Sequence, residues 1–89
     1  MRIAEGFLLR RIVDDWVVVP IGENSVKTRS IFSLSESSAL LWEALERGCD
    51  EKRLVEILYD TYSVSEETAI KDVKVFLNNL DEMDILLRD

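Results

Sequence analysis

Apolar residues are spaced for β-strands in the first third of the chain and for helices in the rest. Residues 7–13 (FLLRRIV) and 16–21 (WVVVPI) are rich in β-branched and aromatic residues, as strands are. The polar pair Asp14 and Asp15 between them predicts the turn of a β-hairpin. Pro20 has no amide hydrogen to donate, so we expect regular pairing to stop near it.

A third strand is predicted over residues 28–34, after a loop at residues 22–26 (GENSV). Polar and apolar residues alternate in it, which is the period of a strand with two different faces. One face carries Thr28, Ser30, Phe32 and Leu34, and the other carries Lys27, Arg29, Ile31 and Ser33. We expect Phe32 and Leu34 to lie in the core.

Three helices follow, and a residue type that caps helix N-termini precedes each of them. The predicted helices run over residues 36–47, from residue 51 to 59 or 62, and from residue 66 onward, with N-caps Ser35, Asp50 and Ser65. Gly48 is expected to end the first helix in a left-handed conformation. Glu66 and Glu67 fill the first turn of the third helix, where the helix dipole favours acidic residues.

Each predicted helix has one apolar face at helical spacing. The predicted core residues are Leu41, Trp42, Ala44 and Leu45 in the first helix, Leu54, Ile57, Leu58 and Tyr62 in the second, and Ala69, Ile70, Val73, Phe76, Leu77, Leu80 and Met83 in the third. Val75 lies about 150° from the middle of this last stripe, and it is either an ordinary exposed valine or part of a second contact surface. Residues 85–87 (ILL) are expected to form a short extended tail packed on the helices.

The size and composition of the chain fit one globular domain over residues 1–89. Of its 89 residues 47% are hydrophobic and 33% charged. Three strands before three helices predict a winged-helix-like α+β fold, with a three-stranded antiparallel sheet followed by a three-helix bundle. The longest apolar run is far shorter than the roughly 20 residues of a membrane span. The amino terminus has no apolar secretion segment, so we expect a cytoplasmic protein without a membrane partner.

Few of the side chains that carry out catalysis are present. The chain has one cysteine, Cys49, and no histidine, so a thiol nucleophile would lack its imidazole base and zinc would lack its usual ligand sets. The many carboxylates lie at predicted helix starts and on exposed helix faces, where structural roles account for them. We therefore expect no catalytic residue, no metal site and no cofactor.

Charge is unevenly distributed along the chain and disfavours nucleic acid as a partner. The formal net charge is −7, with +1 over residues 1–34 and −8 over the remaining 55. Residues 65–84, which include the third helix, have a net charge of −4. Binding to a phosphate backbone depends on lysine and arginine, so a helix with this charge is a poor match for a DNA groove. The same charge does not exclude a peptide partner.

Three motifs occur in the predicted helices: Leu41-Trp42 followed by Gly48, the Leu54, Leu58 and Tyr62 pattern of the second helix, and the Val73, Phe76-Leu77 and Leu80 pattern of the third. Together they resemble the PqqD-like family, the peptide-recognition domains of ribosomal peptide biosynthesis. The resemblance covers nearly the whole chain, with the same order of strands and helices. Family members often have glycine near the end of the last helix, where this chain has Asp84.

The resemblance implies a role for the third strand. Domains of this family bind the leader segment of a precursor peptide as a further strand, with side chains in the cleft between the third strand and the third helix. Carried over to this chain, the peptide-binding residues are Thr28, Arg29, Ser30, Ile31, Phe32, Asp72, Val75, Phe76 and Asn79. The implied partners are a precursor peptide and a separate modifying enzyme, which in this family is often a radical SAM enzyme.

Two other functions stay open at the level of sequence. One is a winged-helix regulator that binds DNA, which the charge of the third helix disfavours. The other is a structural subunit of an enzyme complex, which would differ only in lacking a peptide ligand. Lys27 and Arg29 would discourage an open third strand from pairing with itself, although a weak homodimer through the sheet edges is also an alternative.

Overall fold

The computed structural model describes residues 1–22 and 31–88. These residues form, in chain order, β1 (Arg2–Ile3), β2 (Phe7–Ile12), β3 (Asp15–Pro20), β4 (Phe32–Leu34), α1 (Glu36–Arg47), α2 (Glu51–Thr61), α3 (Glu66–Glu82) and β5 (Leu86–Leu87). Strands β2, β3 and β4 form an antiparallel sheet in that order, and β1 and β5 form a separate antiparallel pair. The predicted α+β fold, a three-stranded antiparallel sheet followed by three helices, is confirmed.

The hairpin of β2 and β3 turns one residue earlier than the sequence suggests. Ile12 pairs with Asp15, so the two loop residues are Val13 and Asp14 rather than the predicted Asp14 and Asp15. Val13 has a φ of 59°, the positive value that tight hairpin loops use. Strand β3 ends at Pro20, as the missing amide hydrogen predicts.

Only the last part of the predicted third strand lies within the described residues. Strand β4 covers Phe32–Leu34 and pairs with β3. The predicted loop from residue 23 and the predicted strand residues 28–30 lie outside the described part of the chain.

All three predicted helix starts are confirmed, each by a hydrogen bond from a backbone amide to the capping side chain. Ser35 Oγ accepts from Ser38 N at 3.2 Å, Asp50 Oδ1 from Arg53 N at 2.9 Å, and Ser65 Oγ from Thr68 N at 3.1 Å. Gly48 follows α1 with a φ of 84° and a ψ of 124°, so its positive φ is as predicted although its ψ is extended. None of the helices in the described part of the chain is long and apolar enough to cross a membrane.

The core lies mainly among the three helices, and the three-stranded sheet packs against it through Val18 and partly buried side chains. Its buried apolar side chains are Val18, Ala39, Leu41, Trp42, Ala44, Leu45, Leu54, Val55, Leu58, Ala69, Val73, Phe76, Leu77, Leu80 and Ile85. The predicted core residues Phe32, Leu34, Ile57 and Tyr62 are partly buried against this cluster.

Two residues assigned to the core of the third helix are on its surface. Ile70 and Met83 are 38% and 42% exposed, which corrects their assignment. Helical spacing gives the direction of a side chain around the axis, but it does not give the width of the stripe that neighbouring elements cover. Val55, which the sequence analysis did not assign to the core, is buried in α2.

The two ends of the chain pair with each other, which the sequence analysis did not anticipate. Strand β1 pairs with β5, and Ala4 N donates to Ile85 O at 2.7 Å. The tail predicted at residues 85–87 is therefore extended, and it is one strand of a second small sheet. Asp84 makes the turn from α3 into β5 with a φ of 57°, a conformation that aspartate tolerates better than most residues.

Candidate functional site

Strand β4 is an edge of the three-stranded sheet. It pairs with β3 on one side, and no other strand in residues 1–22 or 31–88 pairs with its second side. An edge strand presents unpaired N–H and C=O groups, to which another extended chain can add. The direction of each peptide group in β4 therefore decides which residues could make that contact.

The hydrogen bonding of the hairpin fixes these directions. Ile21 N donates to Gly6 O at 2.9 Å, in register with the pairing of β2 and β3. In an antiparallel pair, partners that exchange hydrogen bonds alternate with partners that do not. Odd-numbered residues of β3 therefore bond to β2, and the even-numbered Trp16 and Val18 bond to β4.

The open edge of β4 consequently presents the peptide group of Ser33. Trp16 and Val18 of β3 pair with Leu34 and Phe32, so the N–H and C=O groups of those two β4 residues point toward β3. Ser33 lies between them in the chain, and its N–H and C=O groups point away from the sheet. Its side chain is exposed.

A cleft of about 570 Å³ lies between β4 and α3, with the start of α1 in its wall. It is lined by Phe32, Ser33, Leu34, Ser35, Ser37, Ser38, Leu41, Leu58, Asp72, Val75, Phe76, Asn79, Leu80, Glu82 and Met83. The α3 residues in this set recur every three or four positions, so they form one face of the helix. A smaller hollow of about 350 Å³ continues the cleft past Ser35 and Asp72 toward Tyr62 and Val64.

The cleft has an apolar floor and an apolar wall. Its floor contains the buried side chains of Leu41, Leu58 and Leu80. The wall along α3 contains Val75, which is 54% exposed, and continues to Met83, the residue that follows the helix. Large exposed apolar side chains grouped beside a concave surface are typical of a binding site.

The structure brings five of the nine predicted site residues together. Phe32, Asp72, Val75, Phe76 and Asn79 all line the cleft, so the position of Val75 favours the second contact surface over an isolated exposed valine. Ile31 is 63% exposed and lies directly before β4, but it is not part of the cleft lining. Residues 28–30 lie outside the described part of the chain.

Sequence reasoning missed the polar rim of the cleft and its far end. The rim is formed by the side chains of Ser35, Ser37 and Ser38, which hydrogen-bond among themselves at the start of α1. The far end is formed by Glu82 and Met83, and Met83 had been assigned to the core. The helical spacing from Asp72 through Val75 and Asn79 continues to Glu82, so that spacing was the signal for the far end.

The chemistry of the cleft is suited to binding rather than to reaction. Among the described residues, its lining contains serines, apolar side chains, one asparagine and two carboxylates, without cysteine, lysine or arginine. No group of three or more potential metal ligands occurs within residues 1–22 and 31–88. A serine nucleophile needs an adjacent base. The hydroxyl of Ser35 caps α1, and those of Ser37 and Ser38 hydrogen-bond to it.

Cys49 lies away from the cleft, at the junction of α1 and α2. The amino group of Met1 donates to Cys49 O at 3.0 Å, and Cys49 N donates to Met1 O at 3.1 Å. Burial raises the pKa of the Cys49 thiol above its ordinary value, and the nearby amino terminus only partly opposes this effect. The thiol is therefore held in its neutral form, which is the less reactive form.

The fold and the site together define a small α+β domain with an open sheet edge beside an apolar cleft. The sequence profile of the family described as Coenzyme PQQ synthesis protein D (PqqD) matches residues 16–86. This match runs from β3 into β5 and covers most of the chain, so the chain belongs to the PqqD family. The resemblance found in the motifs of the helices is confirmed.

Two solved structures have the same fold as this chain. TbiB1 in complex with the TbiA(beta) leader peptide is similar with a TM-score of 0.78 and 24% sequence identity, over 100% of both chains. Lasso peptide synthetase B1 complexed with the leader peptide is similar with a TM-score of 0.77 and 17% identity, over 98% of this chain and 96% of that chain. No curated protein sequence gives a significant match.

Proposed function

We propose that this protein is a non-catalytic module that binds the leader segment of a ribosomally made precursor peptide and presents it to a modifying enzyme. The observation that carries the proposal is the open edge of β4 beside an apolar cleft. Membership of the PqqD family supports it. So does the similarity to two proteins whose structures contain leader peptides, since both share the fold over nearly their full lengths.

The mode of binding is the addition of a strand. An extended peptide beside β4 would exchange hydrogen bonds with the N–H and C=O groups of Ser33, which give affinity without reading sequence. Side chains alternate across a strand, so every second peptide side chain would face α3 and enter the cleft. Phe32, Val75 and Phe76 would contact those side chains, and Asn79 offers the amide that can bond to a polar one.

The composition of the described site and the membership of the PqqD family both support a non-catalytic role. Ser35 in the cleft already caps α1, and the chain has no histidine to act as a base for a serine nucleophile. The chemistry would therefore be carried out by a partner enzyme, for which a radical SAM enzyme is the expectation from the family. The proposed setting is the cytoplasm, where ribosomal precursor peptides are made.

A DNA-binding role is not favoured by the site. The charged side chains in the described lining of the cleft are those of Asp72 and Glu82, and both are acidic. Residues 65–84 carry a net charge of −4. Neutralising a phosphate backbone requires the opposite charge.

The experiment is a calorimetric titration of the purified protein with synthetic leader segments of the precursor peptides encoded beside its gene. We expect saturable one-to-one binding with a dissociation constant in the micromolar range or tighter. A micromolar constant corresponds to a binding free energy of about −8 kcal/mol. A scrambled peptide of the same composition is the matched control and should bind at least tenfold more weakly. Absence of binding to every leader segment, or salt-sensitive binding to duplex DNA instead, would overturn the proposal.

A further inference from the structure

The cleft beside α3 is acidic at two separated places. Asp72 and Glu82 both line it and both are exposed. They are ten residues apart on one helix, and a helix rises 1.5 Å per residue, so about 15 Å separates their positions along the axis. Val75 and Phe76 lie between them and are apolar. The wall on α3 therefore has an apolar middle and a carboxylate toward each end.

Neither carboxylate is neutralised by the part of the protein that the structure describes. Within residues 1–22 and 31–88 neither Asp72 nor Glu82 takes part in an ion pair, whereas the neighbouring Asp81 bonds to Arg88 at 2.7 Å. The last turn of α3 contains no basic residue. The C-terminal end of a helix carries a partial negative charge, so the potential at Glu82 is more negative than its own charge alone would give.

We infer that the cleft selects a peptide segment whose inward-facing apolar side chains are flanked by lysine or arginine, and that Asp72 and Glu82 are the specificity-determining residues. The inference rests on the proposed function, since it names the chemistry of the peptide that the site accepts. An extended strand advances about 3.3 Å per residue, so for a peptide that runs along α3 about 15 Å corresponds to four or five residues. Side chains on one face recur at even intervals, so the favoured arrangement is basic residues four positions apart.

Charge complementarity at exposed positions such as Asp72 and Glu82 has a limited effect on affinity. Exposed ion pairs contribute about 0.2–1 kcal/mol each, which is about 1.4- to 5-fold in the dissociation constant. Most of that effect is expected in the association rate and in its dependence on salt. A peptide with glutamate in place of either basic residue would bring a like charge near Asp72 or Glu82, so it would bind more weakly still.

The test uses a displayed library of random 12-residue peptides, selected separately on the wild-type protein and on the charge-reversed variants Glu82→Lys and Asp72→Lys. Glu46→Lys is the matched control, because Glu46 is exposed on α1, lines none of the cavities described above, and changes the net charge of the protein equally. We expect wild type and Glu46→Lys to enrich lysine and arginine at two positions four apart. Each cleft variant should lose the enrichment at one of these positions and gain aspartate or glutamate there.

Two kinds of result separate this inference from the proposed function. Peptide binders without any positional preference for basic residues, or a preference that Glu46→Lys removes as fully as the cleft variants do, would overturn the inference and leave the function intact. Failure to recover any saturable binder, together with no binding to the genomic leader segments, would overturn the proposed function itself. If a lysine variant does not fold, the neutral variants Glu82→Gln and Asp72→Asn take its place, with their folding checked by circular dichroism. Each should lose the enrichment of basic residues at one position without gaining an acidic residue there.

Discussion

The ring of Phe32 meets the ring of Trp42 edge to face, with centroids 6.3 Å apart and planes at 65°. Trp42 is fully buried in α1, while Phe32 lies on β4 and lines the cleft. Aromatic pairs in this geometry contribute about 0.5–1.5 kcal/mol beyond the area they bury. The contact therefore holds the edge strand against the core, and with it the strand side of the proposed peptide site.

Replacing Phe32 by leucine should show how much this contact contributes. Phe32→Leu keeps an apolar side chain on β4 but removes the ring, so we expect the free energy of unfolding to fall by about 0.5–1.5 kcal/mol in urea melts. Peptide affinity should fall as well, because the same ring lines the cleft. A variant as stable as wild type would show that the ring contact does not anchor β4.

Two residues of α3 that lie two positions apart should affect different properties, one the stability of the fold and the other the binding of the peptide. Leu77 is 2% exposed in the core and does not line the cleft, while Val75 is largely exposed and does. Leu77→Ala should reduce the free energy of unfolding by about 2–5 kcal/mol, because it leaves a cavity. Val75→Ala should change it by less than about 0.5 kcal/mol and should weaken peptide binding measured by calorimetry.

Each of these variants serves as the control for the other. Leu77→Ala, measured under conditions where it stays folded, should keep the peptide affinity of wild type. If Val75→Ala binds the leader segment as wild type does, the wall of α3 is not part of the peptide site, and the interpretation of Val75 as a contact residue is wrong.

The hairpin loop stores strain at Val13. A β-branched residue with a φ of 59° is unfavourable by about 1–2 kcal/mol, and glycine adopts this conformation without that cost. We therefore expect Val13→Gly to raise the midpoint of urea unfolding. Asp14→Gly is the matched control, because Asp14 is not among the positive-φ residues of the described chain, and it should leave the midpoint unchanged or lower it.

The Cys49 thiol should make stability fall at alkaline pH. Its folded-state pKa is raised by burial, so its contribution to stability is fully present below the unfolded-state pKa and is lost as the pH rises through the folded-state pKa. We therefore expect the free energy of unfolding, measured in urea melts at increasing pH, to fall more for wild type than for Cys49→Ser, so that the two pH curves converge or cross. Parallel curves across this range would contradict the raised pKa.

Cys49→Ser should also keep peptide binding, because Cys49 lies outside the cleft. Alkylation of the wild-type thiol by iodoacetamide at neutral pH should be slower than alkylation of free cysteine, since less of the thiol is ionised. Loss of peptide binding in a folded Cys49→Ser variant would assign the thiol a role that its position does not suggest.

Features that depend on neighbouring residues could be predicted from the sequence. Ser35, Asp50 and Ser65 were predicted as helix caps because residues of these types precede the helical patterns. The hydrogen bond that each accepts from an amide three residues later depends only on local sequence and confirms the prediction. The pairing of Arg2 with Leu87 could not be predicted in the same way. It joins residues at opposite ends of the chain, and two-residue strands have too few positions to show a period.

The candidate site was predictable on its helix side and less so on its strand side. Val75 and Asn79 were found because a family resemblance and helical spacing place them on one face of α3. The outward direction of the Ser33 peptide group could not be inferred, because it depends on the pairing between β2 and β3. A register shifted by one residue would direct the opposite set of peptide groups outward.

Because that register is now defined, strand addition can be tested at a single peptide group. Ser33→Pro removes the outward N–H without removing a hydrogen bond inside the sheet, and proline is tolerated at an edge strand when its missing donor faces solvent. We expect the variant to fold, as judged by its helical circular dichroism, and to bind the leader segment about 5- to 150-fold more weakly. That range corresponds to about 1–3 kcal/mol for a peptide carbonyl left without a donor.

Two companion variants separate the donor from the side chain and from the fold. Ser33→Ala removes the hydroxyl but keeps the N–H, so it should bind as wild type does. Phe32→Pro removes an N–H that points toward β3 as well as the ring that packs on Trp42, so it should be destabilised more than Phe32→Leu, and the difference reports the hydrogen bond lost within the sheet. Normal binding by a folded Ser33→Pro variant would mean that no peptide pairs with β4 at Ser33. The ligand would then have to be held by side chains of the cleft alone. In that case Val75→Ala should lose more affinity than Ser33→Pro does.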